Sequence, residues 1–186
     1  MIEMNGKKYA RVTEILKPFA DFSHIDPLVL DNKARIGTQV HQAISCELKG
    51  DFPWVNNDSI GYFESYLKWR TRIQPEFIVS EGRYFDDKKM ITGQIDALVQ
   101  FAENPNVPIL VDFKTSAQES KETWPMQAHL YAYLLEVIGI KSSSTYHFVK
   151  LSKNGALPHI FEYKFDRNIH NKCMKAIDDF WEKQIK

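Results

Sequence analysis

Cysteine is scarce in this chain. Two residues, Cys46 and Cys173, stand far apart with no C-x-x-C pair. A four-cysteine zinc site or iron–sulfur cluster within one chain is thereby excluded. No disulfide framework is expected either, which fits a reducing compartment. Long apolar runs are missing: nothing approaches the ~18 residues of a membrane-spanning helix. The opening MIEMNGKKYARVTEIL lacks the basic start and continuous apolar stretch of a signal peptide, so the expected location is the cytoplasm. Charge of one sign is also absent, since 24 Lys and Arg balance 24 Asp and Glu. No whole-protein basic field exists, and contact with nucleic acid has to rest on a local patch or on metal ions. Internal repeats, low-complexity tracts and linkers are lacking, so the 186 residues read as one domain long enough to bury a core.

What is present follows two periods. The first part, to about residue 75, reads as helical. Thr13 is placed to cap a short helix ending at Pro18, and Asp26-Pro27 starts a long one running to Gly50. Asp58 opens a third helix with apolar Ile60, Phe63, Tyr66, Leu67 and Ile73 near helical spacing, closed by Pro75. From residue 76 the period changes. EFIVSEGRYF (76–85), a DDKK turn and MITGQIDALVQF (90–101) form a hairpin. AENPNVP (102–108) is a loop, and ILVDFKT (109–115) is an apolar strand of the kind buried on both faces. An amphipathic helix ends at Gly139. Two strands flanking Lys153-Asn154-Gly155, a hairpin signal, and a last helix close the chain. The expected fold is α/β, a central mixed sheet flanked by helices, with a catalytic sheet core over about 76–165.

Two of these strands carry acids. An ionised carboxylate in an apolar strand is costly unless paired or metal-bound. Asp112 and Lys114, two apart, share a sheet face. Asp96 follows Gly93 on the preceding strand, where a small residue permits close approach. If the strands are neighbours, the two aspartates converge. Two carboxylates suit Mg²⁺, and a lysine beside them is placed to assist an attacking water or stabilise charge on a phosphoryl centre. A structural ion pair between Asp112 and Lys114 is the plainer alternative.

The run G-x-x-D at 93–96 followed by V-D-F-K-T-S at 111–116 resembles the core of the PD-(D/E)XK nuclease superfamily, whose fold is the restriction-endonuclease-like one. Three further segments resemble its RecB-like branch: GTQVHQAI (37–44) with Gly37 and His41, Glu81 in VSEGRYF, and MQAHLYAY with Gln127 and Tyr131 on one helix face. The resemblance implies roles. Asp96, Asp112 and His41, with the Phe113 carbonyl, would ligate Mg²⁺ or Mn²⁺. Lys114 would be the catalytic lysine. Gln127 and Tyr131 would line the site and place the DNA strand or the lysine. Glu81 would hold a second metal or an outer group; a solvent-facing position on the hairpin accommodates it equally. Gln127 and Tyr131 also fit helix surface and core.

The implied activity is that of a metal-dependent DNA exonuclease without an iron–sulfur cluster, phage or bacterial, acting in replication, recombination or repair. Compact phage-type and mitochondrial genome-maintenance exonucleases are similar in plan. The absence of a Walker A motif excludes a fused helicase, so a helicase, recombinase or single-strand-binding protein is expected as a separate partner. An endonuclease and a non-catalytic DNA-binding module of the same fold are the rival readings. For DNA contact, Lys33 and Arg35 precede the histidine motif on its helix. Thr115 and Ser116 either cap the next segment or meet phosphate. Lys68, Arg70 and Arg72 read as a solvated helix face. Among Trp54, Tyr62, Phe63 and Trp124, core packing competes with base stacking. His129, His147, His159 and His170 show no ligand spacing.

Overall fold

A computed structural model describes residues 1–102 and 104–185. The expected hairpin forms from β3 (Glu76–Asp86) and β4 (Ile91–Phe101). Its turn is fixed by Asp86, whose carboxylate accepts the Lys88 amide at 2.8 Å. β5 (Asn104–Lys114) runs antiparallel to β4, and β6 (Thr145–Lys150) lies parallel to β5. The crossover that a parallel pair requires is supplied by α4 (Thr123–Val137). β7 (His159–Lys164) pairs antiparallel with β6, and α5 (Arg167–Ile185) follows. The fold is thus α/β with a central mixed sheet between helices, as expected from the sequence.

The N-terminal part departs from the all-helical expectation. β1 (Ile2–Met4) and β2 (Lys7–Arg11) form a hairpin before α1 (Val12–Leu16). Its turn is Asn5-Gly6, with φ of 51° and 72°, the N-G pattern of a tight hairpin turn. Thr13 therefore lies inside α1, and Arg11 takes the cap position, its amide bonded to Glu14 at 2.9 Å. α2 (Pro27–Leu48) starts where expected, with Asp26 accepting the Leu28 amide at 2.7 Å. α3 (Ile60–Ile73) begins at Ser59 rather than Asp58, because Asn56 turns the chain by accepting the Ser59 amide at 3.0 Å. β6 and β7 form the expected hairpin, and the connection between them, residues 151–158, is longer than Lys153-Asn154-Gly155 alone. Its Ser152 amide is drawn to Ser65 at 2.9 Å, and Gly61 of α3 leaves room for the Lys153 carbonyl. β5 starts earlier than residue 109; of the expected loop before it, residue 103 lies outside the described residues.

The sheet buries two cores. α1, α4 and α5 cover one face with Ile15, Leu130, Leu134 and Ile177 against Leu110, Tyr146 and Phe148. α2 and α3 cover the other with Val40, Ile44, Tyr66 and Trp69 against Val99, Val111 and Phe113. Burial on this scale contributes ~25 cal/mol per Å² of apolar surface removed from water.

One feature of the sheet positions the site. β3 holds one edge of β4 along its length. The other edge is shared: β5 pairs with residues 97–101 and β2 with residues 91–92. Among the described residues, 93–96 have no ladder partner on that edge, and Gly93 and Asp96 bound this gap.

Candidate active site

His41 reaches the gap from α2. The buried stripe of that helix is Ile36, Val40, Ala43 and Ile44, so His41 sits at its margin, half-buried. Gly37, one turn earlier, faces Thr115; a Cβ there would stand 3.3 Å from the threonine Oγ1. The imidazole Nδ1 lies 3.3 Å from Asp96 Oδ1 and 3.6 Å from Glu81 Oε1. Pairing of Ser80 with Ala97 and of Gly82 with Ile95 sets Glu81 opposite Asp96 across the hairpin. Glu81 has φ of +54°, a left-handed conformation that costs a side chain with a Cβ about 1–2 kcal/mol. Ligand atoms of His41, Glu81 and Asp96 all lie within 4.8 Å of one another.

Asp96 also ties the two strands together where they part. Its Oδ2 accepts the Phe113 amide at 2.7 Å, replacing the lost ladder bond. In an extended strand the amide and carbonyl of one residue face the same edge, so the Phe113 carbonyl faces the gap as well. The Lys114 carbonyl accordingly faces β6, where it accepts the Leu151 amide at 2.8 Å.

Asp112 and Lys114 project toward α4. Lys114 Nζ stands 2.6 Å from Asp112 Oδ2 and donates to Gln127 Oε1 at 2.9 Å. Gln127 Nε2 faces Asp112 Oδ1 at 3.3 Å and donates to the Tyr131 hydroxyl at 2.9 Å. The ammonium lies over the Phe148 ring at 5.0 Å and near Trp124 at 5.9 Å, an apolar wall that limits its hydration. Gly93 makes room for this layer, since a Cβ there would meet Leu134 Cδ1 and Tyr131 Cε1 at 2.8 Å.

Charge is crowded here. Burial and the charge of Asp96 push the Asp112 carboxyl up to about 6, against the pull of Lys114. Burial works against ionisation of Asp96 too, but His41 and Lys114 outweigh it and lower its pKa. His41 is disfavoured as a cation by burial, yet Asp96, Glu81 and Asp112 raise its pKa well above the ordinary value. Burial and the two aspartates raise the Tyr131 phenol, which stays protonated.

A divalent cation fits this set. Two to three carboxylates and an imidazole are hard and borderline donors. Asp112 Oδ2 is buried, and among the described residues its one ion-pair partner is the Lys114 ammonium at 2.6 Å. A cation between Asp96 and Asp112 would add a partner for that oxygen and offset the burial and repulsion that raise the Asp112 pKa.

The remaining expected residues fall elsewhere. Arg35 is exposed and engaged by Asn32 at 2.8 Å and Asp58 at 3.4 Å, and Lys33 is exposed outside the wall of the site cleft. Ser116 bonds the Gln118 carbonyl, and Ser120 supplies the bond to the start of α4 at Thr123; Thr115 meets Gly37. Lys68 is not a free surface cation, since it donates to the Gly155 carbonyl at 2.5 Å, and Arg70 pairs with Glu47. Tyr62, Phe63 and Trp124 are core residues, while Trp54 is 78% exposed.

Sequence reasoning missed Gln94, which donates to Glu81 and accepts from Arg83. Its position two before Asp96, on one strand, was the available signal. An open cleft of about 840 Å³ leads from His41, Glu81 and Asp96 along α2 past Gln42, Cys46 and Lys49.

A scan against protein-family models finds no match, and a search of curated proteins finds none. Among solved structures, an alkaline exonuclease from Laribacter hongkongensis, LHK-Exo, superposes with a TM-score of 0.53 at 10% identity, covering 94% of this chain and 87% of that one. LHK-Exo in complex with dAMP gives 0.51 at 11% identity, over the same 94% and 87%. No helix among the described residues is long and apolar enough to cross a membrane. The likeness is one of fold: this chain has the restriction-endonuclease-like architecture found in that exonuclease.

Proposed function

We propose that the protein is a metal-dependent DNA exonuclease of the RecB-like branch, phage or bacterial, serving replication, recombination or repair in the cytoplasm. The observation that carries this reading is the meeting of His41, Glu81 and Asp96 at the strand gap, with Asp112 and Lys114 on the adjoining strand. Asp96, Asp112, His41 and the Phe113 carbonyl would hold Mg²⁺ or Mn²⁺, with Glu81 at the outer side. Such an ion supplies Lewis acidity at a phosphoryl oxygen and lowers the pKa of water.

The side chains do the rest. Lys114, held by Gln127, presents a localised positive charge to the negative charge that develops on phosphorus oxygens. Its apolar surroundings strengthen that interaction relative to water. Gln127 fixes the lysine with respect to Asp112, and Tyr131 fixes Gln127. His41 presents Nδ1 to the acids from the helix side. With zero net charge overall, binding leans on the ion and the local cleft, and steepens with falling salt. The exonuclease that shares the fold has been crystallised with dAMP, which supports a DNA strand as substrate.

The test is a cleavage assay in Mg²⁺ and in Mn²⁺ on end-labelled single strands, linear duplex and closed circles, comparing wild type with Lys114→Ala. Metal-dependent loss of linear DNA, spared circles and an inactive mutant are expected. Cutting of circles would replace the exonuclease by an endonuclease. Preserved binding without cleavage would leave a non-catalytic DNA-binding module.

A further inference from the structure

The loop after α2 carries two aromatic side chains that lie outside both cores. Phe52 and Trp54 are 102% and 78% exposed. The loop itself is pinned: Pro53 is half-buried and Val55 packs on the α2–α3 core. Asn56 fixes its far end by donating to Gln39 at 2.9 Å. Residues 52 and 54 thus point outward while 53 and 55 point inward, as alternation in extended chain requires. The other tryptophans are accounted for. Trp69 and Trp124 are 2% and 5% exposed, and Trp181 donates to the Lys89 carbonyl at 2.9 Å.

Trp54 forms one wall of a hollow of about 290 Å³ with Gln39, Gln42, Ala43, Cys46 and Pro53. Gln42 and Cys46 also line the cleft that holds His41 and Asp96, so the two spaces adjoin. From His41 to Cys46 the helix advances about 7.5 Å, short enough for one flexible strand to occupy both. Lys49 and Asp51 line the cleft together and offset each other in charge, which leaves contact with a flat apolar group as the distinctive offer of this end. A nucleobase within a duplex has both faces covered by its neighbours; an unpaired one has a face free for an indole.

Resting on the nuclease reading, we infer that Trp54, supported by Phe52, is a stacking site for an unpaired nucleobase of the strand that enters the cleft. The experiment uses Lys114→Ala protein in Mg²⁺ as the non-cleaving background, with fluorescein-labelled oligo(dT) and a blunt duplex of equal length. Adding Trp54→Ala is expected to weaken single-strand binding by about 5- to 150-fold, the range for loss of one stacked base, with little change for the duplex. Trp54→Phe is expected to retain most of the affinity but to lose the quenching of tryptophan emission seen on binding. Unchanged oligo(dT) affinity in Trp54→Ala, or equal losses for both substrates, would overturn the stacking site while leaving the nuclease reading intact. Wild-type protein that neither binds nor cuts any DNA would overturn both.

Discussion

Lys114 and Gln127 are joined by a hydrogen bond of 2.9 Å from the ammonium to the amide oxygen, and the amide nitrogen of the same side chain faces Asp112 at 3.3 Å. An amide can do this because it carries a donor and an acceptor on one planar group. The second bond of its nitrogen, to the Tyr131 hydroxyl at 2.9 Å, fixes which way the amide points.

Gln127→Leu keeps the volume and removes all three bonds. Cleavage is expected to fall about 10- to 100-fold, the usual cost of losing a group that orients a metal ligand or its partner. Gln127→Glu is expected to be worse, because it sets a second carboxylate directly beside Asp112. Rates measured at saturating metal, with circular dichroism as the folding control, check this. Equal activity of Gln127→Leu and wild type would sink the orienting role.

Much of this was legible in the sequence, and the reasons differ by residue. Asp112 and Lys114 stood out because charge in an apolar strand demands a partner, and Gln127 and Tyr131 share a helix face by spacing alone. Glu81 was singled out only with a solvent-facing position as an equal alternative, because its place opposite Asp96 depends on a register set by a bulge between Phe77 and Val79. The β1–β2 hairpin was signalled by Asn5-Gly6, but its short strands carry too little apolar alternation to outweigh the helical pattern that follows. The β6–β7 hairpin was signalled by Lys153-Asn154-Gly155, but its loop is longer than those residues, with Gly155 packing on α3 near Glu64. Lys33 and Arg35 share a helix with His41 and lie outside the lining of its cleft, so a phosphate contact from them rests on the sequence alone.

The crowded acids predict an inverse dependence of stability on pH without metal. The Asp112 carboxyl, raised to about 6 by burial and by Asp96, binds its proton more tightly folded than unfolded. Its contribution is present below the unfolded value near 3.9 and is lost as pH rises through about 6. His41, also raised, acts in the same direction: its contribution holds below the unfolded value near 6.5 and fades as pH climbs through the folded one. Asp96 is lowered, so its contribution holds above about 3.9 and is lost only at lower pH, outside this window. His129 and His147, whose pKa values burial lowers, act in the opposite direction, so the site's contribution is read as the stability of wild type minus that of Asp112→Asn, a difference expected to drop by about 1–2 kcal/mol between roughly pH 5 and pH 8 in EDTA. Adding Mg²⁺ is expected to stabilise more at the alkaline end, where its ligands are deprotonated. Thermal melts of both proteins across that range decide it, and a wild-type-minus-Asp112→Asn difference that rises with pH would contradict the assignment.

Two glycines predict different costs for the same change. A Cβ at Gly93 would meet the tips of Leu134 and Tyr131 at 2.8 Å, side chains that can shift. Gly93→Ala is expected to cost about 1–3 kcal/mol and to reduce cleavage by moving Tyr131 and with it Gln127. A Cβ at Gly61 would stand 1.8 Å from the Lys153 carbonyl oxygen, and backbone yields less readily. Gly61→Ala is expected to cost roughly 3 kcal/mol or more, while folded protein at low temperature keeps its rate per molecule. Urea denaturation paired with single-turnover cleavage separates the two. A silent Gly93→Ala in both assays would show that α4 does not rely on that gap.

Glu81 carries the strain of the site. Its φ of +54° costs about 1–2 kcal/mol for a residue with a Cβ, while glycine in a strand loses about 0.5–1 kcal/mol through chain entropy. Glu81→Gly is therefore expected to gain up to about 1 kcal/mol of stability in EDTA, helped by removing one of three clustered acids. If the carboxylate serves the metal, the same change should lower metal-dependent cleavage about 10-fold or more. A side chain that merely faces solvent on the hairpin would give the stability and leave cleavage untouched. Strain retained at a position where glycine is permissive favours the functional role, since such conformations persist where the geometry is used. Parallel melts in EDTA and Mn²⁺ titrations of the cleavage rate distinguish the cases. A more stable variant with wild-type Mn²⁺ dependence would remove Glu81 from the site and leave His41, Asp96 and Asp112 to hold the ion.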